Sequence, residues 1–339
     1  MRNTYTTPAD FWQERDFGTK ISAVFEFIGQ HWRPLGKCLV YFVLPAALVL
    51  GIGLGLFTNS FYNQMGGVMA AKRGSFAAPQ AAGSFAGISF VGLGVAMLGG
   101  LVSFILLTGT LFGYLRARLR LPATETVPPA AVWHELKGRL GKMVLVLVLA
   151  FGAYLGLLMA YGFLIALVGG LGSSGSLGTF FISSLLMTVL GLYLAVVLSL
   201  YFPVLWLEDQ SVLGAVGRCF QLIKGKWWST CGLLLVAGLL QGVLAVVVAL
   251  PQYAVVVGKM LQLPGLDSNA LGLAAQCLQA VGIMFFYCIP LLALAFQYFS
   301  LAERQEGHGL RLLVDQLGQP QAAPTAYSAH YRPDEEGEY

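Results

Sequence analysis

Charge is what this chain has least of. Only 11% of its 339 residues are Asp, Glu, Lys or Arg, against 57% hydrophobic ones. A soluble domain carries about 25% charged residues. This chain cannot cover a water-facing surface, so lipid must cover it. Cysteine is scarce as well. Cys38, Cys219, Cys231, Cys277 and Cys288 make no CxxC pair and no metal-ligand spacing. They imply no zinc ribbon and no disulfide framework, and read as small apolar packing residues. Basic runs are missing, and with them the footprint of a nucleic-acid binder. So are HExxH, a Walker loop, a Ser/His/Asp set and carboxylates at catalytic spacing. No cofactor, metal site or catalytic residue is therefore expected.

What is present is long apolar runs, at about 38–57, 87–115, 143–167, 180–207, 231–257 and 271–301. Each suffices to cross a bilayer core of roughly 30 Å. None contains an ionisable residue of the kind that marks a pump or proton relay. His31, His134, His308 and His330 all fall between or outside the runs. The expected fold is an all-α integral membrane protein with six transmembrane helices arranged as three helical hairpins. Pro45, Pro203, Pro251 and Pro290 should kink spans. Residues 1–18 read as a polar segment loosely placed on the surface, 19–302 as the membrane domain, and 303–339 as a tail, disordered from about 318. No signal-peptide pattern opens the chain.

The most informative stretch runs from Asp209 to Gly242. Leu213, Val216, Phe220, Ile223 and Trp227 recur at helical spacing. Asp209 or Ser211 can cap the start, and Gly225 can end the helix. Lys224 and Lys226 then flank Trp227 and Trp228, a combination suited to the lipid headgroup layer. A similar amphipathic helix is expected before the first span. Thr19 would cap it, Ile21, Val24, Phe25 and Ile28 would form its apolar face, and His31, Trp32, Arg33 and Pro34 would close it, with Lys37 just beyond. A third lies before span 3, opening at Pro128 and Pro129, with Trp133, Leu136 and Leu140 as its stripe and Lys137, Arg139 and Lys142 as its basic edge. Each hairpin is thus preceded by an interfacial helix.

Six spans leave both termini on one side. That side holds 17 of the 20 Lys and Arg; Lys72, Arg73 and Lys259 lie on the other. The positive-inside rule puts the basic side, and both termini, in the cytoplasm. The pattern of interfacial helix, span, outer loop and span then occurs three times in one orientation, over about 19–120, 126–208 and 209–302. Each odd-numbered span carries a GxxxG pair, Gly51/Gly55, Gly152/Gly156 and Gly238/Gly242, expected to bring helices close. Gln241, the deepest amide, is expected to hydrogen-bond a neighbouring span. Glu208/Asp209 and Glu303/Glu306 read as solvated helix ends.

Three hairpins, each behind a helix of the FQLIKGKWW type, resemble the multi-span membrane domain fused to some bacterial glycerophosphodiester phosphodiesterases, and free-standing membrane proteins of that layout. The end segments Arg15-Asp-Phe-Gly18 and Glu303-Arg-Gln-Glu-Gly307-His-Gly-Leu310 are similar to stand-alone members from Bacteroidetes-type bacteria. The resemblance covers about residues 15–315. The enzymatic barrel of the fused proteins has no counterpart here, so it implies a bacterial inner-membrane protein without phosphodiesterase activity.

Three functions follow. The first is a non-catalytic protein that organises lipid or protein partners at the cytoplasmic leaflet. Trp32, Arg33, Lys37, Trp133, Lys137, Arg139, Lys142, Lys224, Lys226, Trp227 and Trp228 would contact anionic headgroups or other membrane proteins. The second is a transporter or lipid conduit along an axis lined by the glycine-rich odd spans. The third, an enzyme with an outer-face site, has only Lys72, Arg73, Lys259 and Asp267 to build on.

Overall fold

The computed structural model describes residues 5–74, 89–122, 125–171, 177–261, 263 and 268–317. Twelve helices cover them: α1 Pro8–Phe11, α2 Phe17–Phe42, α3 Leu44–Gly74, α4 Phe90–Arg120, α5 Pro129–Leu171, α6 Leu177–Ser199, α7 Tyr201–Leu207, α8 Val212–Ile223, α9 Trp227–Leu261, α10 Asn269–Phe286, α11 Cys288–Glu306 and α12 His308–Leu317. Six stretches are long and apolar enough to cross a membrane: α3, α4, α5, α6 with α7, α9, and α10 with α11. The chain is a multi-pass membrane protein.

Prolines place most of the breaks. Pro45, Pro203 and Pro290 each lie in the first turn of a new helix, just after Val43, Leu200 and Tyr287. A proline cannot donate to the carbonyl four residues back, and its ring crowds that carbonyl, so the preceding turn comes apart. Pro34 and Pro251 instead lie inside continuous helices. The first of the helices expected to be interfacial therefore does not end at Pro34. It runs on to Phe42, and its start is Asp16, not Thr19, whose hydroxyl bonds the Asp16 carbonyl at 2.8 Å. The second flows into its span as one 43-residue helix, because nothing from Pro129 to Leu171 interrupts it. Only the third breaks as expected. Ser211 caps α8, and Gly225, at φ +75°, turns the chain into α9.

The tightest packing joins α3 to α4 and α10. In Gly51-Ile-Gly-Leu-Gly55 the outer pair lies one turn apart and faces α10, where an added Cβ on Gly51 would stand 2.6 Å from the Cys277 Cα. Gly53 is half a turn away and faces α4, where its Cβ would come within 2.3 Å of the Ala96 nitrogen. The motif thus serves two neighbours at once. The other two GxxxG pairs do not act this way. A Cβ on Gly152, Gly156, Gly238 or Gly242 would meet nothing within 4 Å. Beyond its first turns α5 packs little, and Val148, Phe151, Tyr154 and Met159 are exposed, as are Phe181, Leu185 and Leu186 at the same end of α6. Gln241 is half-buried; the interhelical amide bond instead runs from Gln297 on α11 to the Thr230 hydroxyl on α9, at 2.8 Å between fully buried side chains.

Residues 5–16 are not a loose surface segment. Tyr5 and Phe11 are fully buried among Phe27, Phe296 and Phe299, and the Arg15 amide donates to Ser300 Oγ at 3.2 Å. Aromatic side chains in a polar-looking sequence supplied the area that holds it down. The stretch between the first two apolar runs, expected to be outer loop, begins as a continuation of α3 to Gly74; residues 75–88 lie outside the described residues, as do Asp267 and the tail from 318.

Candidate functional site

The charged side chains converge at one end of the bundle, where α4 finishes, α5 starts and α7 meets α8. The chain there turns through Asp209, whose φ of +56° is uncommon for a residue with a side chain but tolerated by Asp. That turn carries its carboxylate to two guanidiniums. Arg116 of α4 approaches Asp209 at 2.5 Å, lies 3.2 Å from Glu135 of α5, and donates to the Trp206 carbonyl at 2.6 Å. Arg139 of α5 pairs with the other Asp209 oxygen and lies over the Trp206 ring at 5.3 Å. Arg120 closes on Glu135 at 2.5 Å. Partial desolvation of Asp209 would raise its pKa, but the hydrogen bonds and charges of Arg116 and Arg139 outweigh it and bring the carboxyl down to about 2.

A second network lies beside the first. Arg218 of α8 holds both Glu208 oxygens, at 2.9 and 3.0 Å, and pairs with Glu306 of α11. The Tyr298 hydroxyl donates to Glu208 at 3.1 Å, and His308 meets Glu306 at 2.5 Å. Glu303 accepts from the Gly309 and Leu310 amides at the start of α12, at 2.6 and 3.2 Å. These acids are therefore not merely solvated helix ends. Burial against two apolar helix ends would be costly without a counter-charge, and Arg218 supplies it to two spans together. Arg116, Glu135 and Arg218 were not among the residues singled out from sequence. The available signal was the acidic residue shared by the exits of spans 4 and 6, which needed a basic partner nearby.

The expected contact residues divide into two groups. Arg139 is committed to Asp209, and Trp227 stacks on Tyr193 with its Nε1 3.4 Å from the Tyr193 carbonyl. Lys226 is half-buried. The rest face outward: Trp32, Trp133 and Trp228 are 61, 43 and 81% exposed, and Arg33, Lys37, Lys137, Lys142 and Lys224 are exposed too. None of these five basic groups makes an ion pair among the described residues. Trp133 stacks on Phe42, and the Arg33 guanidinium lies over Trp32. Trp rings beside exposed ammonium and guanidinium groups form a rim around the charged end.

At the opposite end, the described side chains form a small amide cluster around Lys259. Lys259 Nζ donates to Asn59 and Asn269 at 2.7 and 2.9 Å, and Asn63 reaches Asn269 at 3.3 Å. Cys38, Cys219, Cys231 and Cys288 are buried and unbridged, and Cys277 is half-buried. Among the described residues no cluster of three His, Cys, Asp or Glu could hold a metal. The chain matches no family model, no curated protein and no solved structure, so its own geometry has to carry the functional reading.

Proposed function

We propose that this is a non-catalytic membrane protein that gathers anionic lipid, and other membrane proteins with it, against its charged end. We place that end, with both termini, at the cytoplasmic face of a bacterial inner membrane, and treat the three interfacial-helix units as one repeated device. The observation that carries the reading is the rim: three exposed tryptophans beside basic groups that make no ion pair among the described residues. The inner networks engage Glu135, Glu208, Asp209 and Glu306, and none of these four pairs with the outward basic groups. Each such Lys or Arg contributes about 1 kcal/mol of attraction to an anionic surface. The kinship with the phosphodiesterase-linked membrane domain belongs to the same proposal and rests on layout. The conduit reading has less support, because Gly51 and Gly55 are filled by α10 while Gly152, Gly156, Gly238 and Gly242 line no shared interior.

The test is lipid enrichment. Protein extracted in polymer-bounded bilayer discs should carry more phosphatidylglycerol than the bulk membrane. Changing Lys137, Lys142, Lys224 and Lys226 to Gln should return the ratio to the bulk value. An unchanged ratio would remove the proposal.

A further inference from the structure

The end of α4 carries three arginines, and one of them has no acidic partner among the described residues. Arg116 and Arg120 share Glu135. Arg118, two residues from either, projects from another face of the helix and makes no ion pair among the described residues. It is only 3% exposed. Its Nη1 donates to the Glu125 carbonyl at 2.5 Å, and its Nη2 to the Thr6 and Pro122 carbonyls at 2.8 and 3.1 Å. Its Nε is buried with no acceptor. Three neutral carbonyls orient the guanidinium but leave its charge whole, and a buried charge without a counter-ion is strongly disfavoured.

Arg118 lines a cavity of about 760 Å³ between α2, the end of α4 and the start of α5. His31 and Tyr114 share its wall, their rings 6.1 Å apart, and Arg33 and Lys37 add two exposed cations. Glu125 is the one acidic lining residue; it gives its carbonyl to Arg118 and its side chain is exposed. Exposed Trp32 also lines the cavity, and indoles favour the headgroup layer. Small-molecule sites span about 300–1,000 Å³, so the space exceeds what a bare phosphate fills.

We infer that this cavity binds one phosphate-bearing anion, either a phospholipid headgroup or a free phosphate compound, with Arg118 as its fixed cation and Arg33 and Lys37 as its outer clamp. The inference deepens the lipid-gathering reading and rests on it only for the lipid source. Guanidinium suits the task, since it stays protonated and supplies a fixed positive charge, with its Nε–H and one Nη1–H not committed to the three carbonyls.

The full chain in neutral detergent is titrated with monodisperse dihexanoyl-phosphatidylglycerol and, separately, with inorganic phosphate at matched ionic strength, while thermal unfolding is followed. Saturable stabilisation by the lipid alone assigns a headgroup; saturable stabilisation by phosphate at similar concentration assigns a free anion. In either case R33Q/K37Q should weaken the apparent affinity about tenfold without moving the ligand-free melting point, and R118Q, if it folds, should abolish the response. The rim variant altered at residues 137, 142, 224 and 226 should titrate like the native chain, which separates failure of this site from failure of the broader reading. No saturable stabilisation by either ligand, or one unchanged in R33Q/K37Q, would overturn the inference.

Discussion

Replacing Gly53 with Ala adds one methyl group at the closest approach of α3 and α4. The new Cβ would stand 2.3 Å from the Ala96 nitrogen, 2.7 Å from its Cα and 2.8 Å from the Val95 carbonyl carbon. All three are backbone atoms, so no side chain can swing aside. Ordinary carbon contacts sit near 3.5 Å, so the helices must part by about 1 Å. The same seam is held close at Gly92, whose Cβ would be 2.8 Å from the Phe57 nitrogen, and at Gly99, at 2.7 Å from the Leu50 nitrogen. Separation at Gly53 therefore loosens contacts on both sides of it. Overpacking costs about 1–3 kcal/mol, and better helix propensity returns up to about 1 kcal/mol. The expected net loss is about 1–2 kcal/mol. Gly152→Ala is the control, since a Cβ there meets nothing within 4 Å. It should be neutral or slightly stabilising. Reversible unfolding in mixed micelles, read by tryptophan fluorescence, measures both. A native-like Gly53→Ala, or a Gly152→Ala that loses as much, would refute the packing seam.

Acid should destabilise the protein in two stages. Burial lowers the pKa of His31, with the Phe27 carbonyl opposing and the Arg118 charge adding to the effect. The unfolded chain then binds the extra proton first, so stability falls as pH drops through about 6.5, and His31→Phe should flatten this stage of a melting-point profile. Asp209, held at about 2 in the folded chain, contributes stability above its ordinary value and loses it as pH falls from about 4 towards 2; Asp209→Asn should remove that second stage. At the buried bond between Gln297 and Thr230, Thr230→Val leaves the Gln297 amide without its acceptor and should cost about 1–3 kcal/mol. Gln297→Met removes the buried amide and should cost less, about 0.6 kcal/mol, in the same micelle assay.

The six spans were legible because length and apolar composition suffice to find them. The hinge at Lys224–Trp228 was legible because Gly225 and Ser211 give local signals that no neighbour overrides. The orientation of each helix was not legible. In water an apolar stripe points inward; in lipid both faces are apolar. On α8 the buried residues are Ala215, Cys219, Leu222 and Ile223; of the expected stripe Ile223 is buried and Val216 half-buried, but Leu213 and Phe220 are exposed. On α9, Leu233 is buried and Leu235 and Leu239 are not, although the side chains are identical. Long-range charge pairing was hidden for a related reason. Arg139 looked like a headgroup ligand because its neighbours are Lys137 and Lys142, and its partner Asp209 is 70 residues away. GxxxG spacing proved ambiguous too, since two of the three pairs face open space.

Side-specific labelling decides whether the rim and the amide end face opposite compartments. Single cysteines at Lys137, Lys224 and Asn63, introduced after the native cysteines are replaced by Ala, are treated with a membrane-impermeant maleimide in intact spheroplasts. Residue 63 should label at once, and residues 137 and 224 only after the membrane is opened. Labelling of 137 or 224 together with 63 in sealed cells would contradict the arrangement on which the lipid reading depends.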